Sequence, residues 1–102
     1  MSDTPSAAQM AVSEHALSVL QIQDSAARRG ALNFWTIYDH PRDYPHGICA
    51  RRHELARDGK SMPTEHLLVG DLEFLRAIFR EAKLVCICRQ ENDDKPIVET
   101  WI

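Results

Sequence analysis

The chain has 102 residues, with 15 acidic and 12 basic side chains, five histidines, three cysteines and a formal charge of −3. The length fits one domain, and 44% hydrophobic with 26% charged residues excludes wholesale disorder. No apolar run approaches the roughly 20 residues of a membrane span, and the negative balance disfavours nucleic-acid binding by phosphate neutralisation.

The segment MSDTPSAAQ contains no Lys or Arg, and no secretory-length apolar stretch follows it. Cytoplasmic location is therefore the expectation, with Cys49, Cys86 and Cys88 as reduced thiols. All seven aromatic residues lie in residues 34–102. This division predicts an N-terminal helical extension over 1–33 and an α+β core over 34–102.

In the extension, Thr4 reads as a helix cap and Pro5 as the first helical position. Ser13 is a later alternative start. Val12, Ala16, Val19, Leu20 and Ile22 form a narrow apolar stripe. Arg28 and Arg29 fall in the last turn, and Gly30 is a natural stop. Phe34–Tyr38 is aromatic and β-branched and reads as a strand. The DHPRDYPHG segment, 39–47, is a turn or structured loop. A second strand follows over Gly47–Glu54, a turn at Arg57–Lys60, and a short third strand over Thr64–Val69.

Asp71 can cap a helix whose apolar face is Leu72, Leu75, Ile78, Phe79 and Ala82. Leu84–Arg89 and Ile97–Ile102 read as two further strands joined by a polar loop. Within the first, Cys86 and Cys88 share a face at a spacing unsuited to a disulfide, and read as small buried hydrophobes. The order predicts an α+β fold: a small antiparallel sheet of four to five strands with one packed helix, preceded by the N-terminal helix.

The sheet is expected to be apolar on both faces. Trp35 and Ile37 point one way from the first strand, Phe34 and Tyr38 the other. In the last strand, Val98, Thr100 and Ile102 oppose Ile97, Glu99 and Trp101. One helix of about three turns covers one face only. Either the N-terminal helix or another chain must meet the second face. Phe34, Trp35, Ile97 and Trp101 are the candidate interface, and full burial of both tryptophans within one chain would count against the protein-binding reading itself.

The stretch WTIYDHPRDYPHGICARRHE, the PTEHLLVGDLEFLRAIF segment and the ending DDKPIVETWI resemble a group of small bacterial proteins without assigned function. That group has a W-x-x-Y-x-x-P-x-D-[FY]-P opening, an arginine-bearing strand, an acidic loop and an I-V-E-x-W ending. The resemblance covers residues 34–102 and implies a bacterial, single-domain protein. It implies no activity, cofactor or catalytic residue.

The densest reactive cluster is Tyr38, Asp39, His40, Arg42, Tyr44 and His46, joined by Arg51 and Arg52. Asp39 could orient the His40 imidazole for proton transfer, and the arginines could clamp an anion. The plainer reading makes Asp39, Pro41, Pro45 and Gly47 turn residues and pairs the arginines with Asp43 and Glu54. No metal-ligand spacing, nucleophile elbow or phosphate-cradling loop occurs. No cofactor, metal or catalytic residue is expected. The sequence thus reads as a non-enzymatic domain that binds another protein or itself. The alternatives are a small-ligand or enzymatic site on the 39–46 loop with Arg51 and Arg52, and an acidic mobile-element inhibitor of a nucleic-acid enzyme carrying the Glu91–Asp94 run.

Overall fold

A computed structural model describes residue 4 and residues 6–102 of the chain. Its elements are α1 (Ala7–Arg28), β1 (Leu32–Asp39), β2 (Ile48–Leu55), β3 (Ser61–Val69), α2 (Leu72–Glu81), β4 (Cys86–Cys88) and β5 (Ile97–Trp101). The strands form one antiparallel sheet in the order β3-β2-β1-β5-β4. This is a small α+β fold, and among the described residues no helix is long and apolar enough to cross a membrane.

The cap of α1 is Ser6 rather than Thr4, while Pro5 lies outside the described residues. Ser6 and Gln9 close a capping box, each side chain accepting from the other's backbone N–H at 3.1 Å. The helix stops as expected: Gly30 takes a left-handed φ of +74° and its N–H donates to the Ala27 carbonyl. Ala16, Val19 and Ala26 are buried, but Leu20, expected in the stripe, is 42% exposed. One residue beyond Val19 is a rotation of about 100°, which turns Leu20 off the packed face.

Helix α2 forms on Asp71, whose carboxylate accepts from the Phe74 N–H at 2.8 Å. It buries Leu75, Ile78 and Phe79. Phe79 lies between the two tryptophans, with ring centroids 5.6 Å from Trp35 and 5.8 Å from Trp101. Ala16 and Val19 of α1 belong to this same cluster, together with Ile37 and Ala50. Helix α1 therefore contributes side chains to the core. Small residues on α1 let the helix sit close to the sheet beside α2.

Both helices consequently cover the same sheet face. The expectation that α1 could close the second face is corrected. Its cause is partly polar: the Gln23 carbonyl oxygen accepts from Trp35 Nε1 at 3.3 Å and from the Asn33 amide, while Gln23 Nε2 donates to the Asn33 carbonyl at 3.2 Å. These bonds fix α1 over the core end of β1.

Strand limits also differ from expectation. β3 begins at Ser61, and its Pro63 is tolerated because β3 is an edge strand that needs fewer N–H donors. β4 shrinks to three residues, although Val85 and Ile102 still exchange backbone bonds beside it at 2.8 and 2.9 Å. A bulge in β5 places Ile97 opposite Tyr38 and Glu99 opposite Ile37. Ile97 and Trp101 thus lie on opposite faces, against the simple alternation expected.

Candidate functional site

Directly paired residues of antiparallel strands share a face. The register therefore places Leu32, Phe34, Thr36 and Tyr38 of β1 with Cys49, Arg51, His53 and Leu55 of β2. Leu67 and Val69 of β3 join them, as do Ile97 and Thr100 of β5 and Ile87 of β4. Among the described residues no helix covers this face. Leu32 is 46% exposed, Val69 47% and Ile87 42%. Phe34, Tyr38, Leu55, Leu67 and Ile97 are half-buried, while Cys49 and Thr36 of the same face are buried at 1% and 4% exposed.

The polar groups on this face are mostly satisfied within it. Phe34 stacks flat on His53, with centroids 5.1 Å apart and rings 5° from parallel. Tyr38 Oη lies 3.2 Å from His53 Nε2. Arg51 donates to Asp43 at 2.6 Å and to the Thr64 carbonyl at 2.8 Å. Burial, and then the Arg51 charge, hold the His53 imidazole below its ordinary pKa. Burial also pushes the Tyr38 phenol and the Cys49 thiol up. The result is an apolar surface whose one arginine is matched by one carboxylate.

The sequence-derived residues divide over this geometry. Phe34 and Ile97 of the expected interface lie on the open face. Trp35 and Trp101 do not: at 1% and 4% exposed they are core residues, because their strand positions face α1 and α2. The four-residue interface is therefore corrected to Phe34 and Ile97, and the burial of both tryptophans within one chain counts against protein binding through them. Tyr38 and Arg51 reach the open face from the expected loop cluster. Asp39, His40, Arg42 and His46 are exposed and Tyr44 half-buried at its end. Asp39 and His40 do hydrogen-bond, with His40 in the left-handed region at φ 50°.

Arg52 points the other way. It donates to Asn33 and Glu54 at 2.8 Å and to His66 at 2.6 Å, beneath α1. Adjacent strand residues face opposite sides, so Arg51 and Arg52 cannot clamp one anion, which corrects that expectation. The pairing of the arginines with Asp43 and Glu54 is the one realised. Neither the cleft between α1 and α2 nor the one between α1 and His66 borders the 39–46 loop. Among the described residues no three His, Cys, Asp or Glu side chains gather as a metal site requires. Cys86 is half-buried and Cys88 exposed, so only Cys86 approaches the buried role expected of both. The acidic loop folds on itself, with Arg89 donating to the carbonyls of Asp93 and Asp94 at 3.0 and 3.2 Å.

The open-face residues missed in the sequence are Leu32, Leu67, Val69 and Ile87. Each sits at an alternate position of a strand, but only the pairing register shows that these positions share the uncovered face. No family model, no curated protein and no solved structure matches the chain. The geometry alone carries the functional reading.

Proposed function

We propose that the chain is a non-enzymatic protein-binding domain that docks through the open sheet face, with a second copy of itself as the partner. The observation that carries this is a sheet face that no helix covers, with Leu32, Val69 and Ile87 exposed on it, while both helices pack on the other side. Of the two occupants expected for the second face, α1 is engaged elsewhere, which leaves another chain. Asp43 offsets the Arg51 charge on the face, and Asp94 lies within electrostatic reach of Tyr38. A surface this nearly neutral repels a second copy of itself little, whereas a strongly charged partner would find little counter-charge there.

Five strands at about 4.8 Å and a β1 of eight residues at about 3.3 Å give a face of roughly 19 by 26 Å, or about 500 Å². Two such faces bury about 1,000 Å² in total, at the lower end for a specific interface. The dimer is accordingly weak and reversible. A cytoplasmic setting suits the three free thiols. A ligand site centred on the 39–46 loop has less support, because Arg51 is occupied and Arg52 faces away.

Sedimentation velocity from micromolar to millimolar loading tests the reading. The weight-average sedimentation coefficient should rise with concentration, and Val69→Lys with Ile87→Lys should abolish the rise. Both positions are exposed, so neither change disturbs the core. A concentration-independent monomer, or a rise unaffected by the lysines, would overturn it.

A further inference from the structure

On the opposite side of the sheet, Arg52 is nearly buried, 9% exposed, yet part of its guanidinium is unused. Nε donates to His66 Nδ1, and Nη1 donates to Asn33 and Glu54. Among the described residues Nη2 makes no hydrogen bond. No fully buried side-chain nitrogen or oxygen there lacks a partner, so Nη2 must reach solvent. The opening that Arg52 lines is a cleft of about 280 Å³ between α1 and β3.

The cleft is equipped with donors. Because His66 Nδ1 accepts from Arg52, the imidazole proton sits on Nε2, which has no hydrogen-bond partner among the described residues. Ser18, Gln21, Ser25 and Arg29 complete the polar lining, and Ile22 supplies an apolar wall. Arg29 and Arg52 share one carboxylate, Glu54, at 2.6 and 2.8 Å. The charges therefore sum to one positive unit. The C-terminal end of α1 contributes about half a negative charge, which leaves the balance positive.

We infer that this cleft binds the carboxylate of a small organic monoanion, with Arg52 Nη2 and His66 Nε2 as its donors and the short apolar tail against Ile22. A planar guanidinium edge suits a carboxylate. A single surplus charge suits a monoanion better than a phosphate dianion. The volume is at the small end for ligand sites, which suits a small ligand. This site is independent of the docking face, which lies on the other side of the sheet.

Sodium propionate and inorganic phosphate, titrated at constant ionic strength into the 15N-labelled full chain, test the inference. Propionate should give saturable shifts at the Ser25 and His66 amides and at Arg52 Nε–H. Arg29→Gln lets Glu54 neutralise Arg52 alone, and should weaken propionate about tenfold, the loss expected for a charge-assisted contact. His66→Ala should weaken it by a smaller factor. A dispersed amide spectrum in each variant establishes that it folds. Shifts that do not saturate, saturable binding unchanged in both variants, or phosphate binding more tightly than propionate would each overturn the assignment.

Discussion

Replacing Arg76 by alanine tests how the helix layer is fastened to the sheet. Arg76 of α2 grips Glu99 of β5 with two bonds, Nε to Oε1 at 2.9 Å and Nη2 to Oε2 at 3.1 Å. Glu99 is 8% exposed and also accepts from Trp101 Nε1 at 3.1 Å. Arg76 holds the Glu99 carboxyl below the ordinary range, while burial acts in the opposite sense. Arg76→Ala strands a nearly buried carboxylate with only the indole N–H and the Cys86 thiol as donors. Breaking a fully buried pair costs about 3–5 kcal/mol. The Arg76 side chain is 28% exposed, so screening reduces the expected loss to about 2–3 kcal/mol. The second bridge of Arg76, to the exposed Glu73, adds little.

The pH dependence gives the sharper test. A depressed folded pKa means the pair stabilises above the ordinary carboxylate range, and the gain is lost as pH falls through the folded value. In Arg76→Ala the dominant influence left is burial, so the Glu99 pKa rises and protonation relieves the variant. The stability difference should be largest near neutrality and shrink on acidification. Urea unfolding followed by tryptophan fluorescence reads this directly, since both tryptophans lie in the core. Glu99→Gln in the Arg76→Ala background should cost far less than in the native chain. A difference that is independent of pH, or additive single changes, would refute the pairing as a source of stability.

Three further outcomes are expected. Arg29, then Arg52, hold the Glu54 carboxyl down to about 2; its NMR titration should show that midpoint, and Arg29→Gln should move it toward the ordinary range. Stability from this group is present above its unfolded pKa and lost as pH falls toward about 2. Gly30→Ala should lower stability by about 1–2 kcal/mol in chemical denaturation, because φ at Gly30 is +74°; the clash of the new Cβ with Arg57 is relieved by moving that flexible side chain. Phe79→Ala empties the space between Trp35 and Trp101 and should cost about 3–5 kcal/mol, with altered tryptophan emission.

The helix α2 was legible because its signals are local. A capping Asp71 and the spacing of Leu72, Leu75, Ile78, Phe79 and Ala82 lie within one segment. The two faces of β1 were legible for the same reason, through strict alternation. Alternation within β2 also separates Arg51 from Arg52, so the failure of the anion clamp follows from the sequence once the strand is granted. The position of α1 was not legible. It depends on Gln23 meeting Trp35 and Asn33, contacts that no periodicity within residues 7–28 encodes. The face of Ile97 was hidden by the β5 bulge, which reverses one residue of a strand too short to show its own irregularity. The identity of the open face needed both facts together. Phe34 and Tyr38 were visible as surplus aromatics, but Val69 and Ile87 join them only through long-range pairing.

Whether the helix-free sheet face meets a second copy of the chain, as proposed, is read by an isotope-filtered NOE experiment on a mixture of labelled and unlabelled protein. Intermolecular contacts are expected from the methyl groups of Leu67, Val69, Ile87 and Ile97. Contacts confined to Met10, Leu17 and Leu20, the exposed apolar side chains of α1, would place the interface on the helix layer and contradict it.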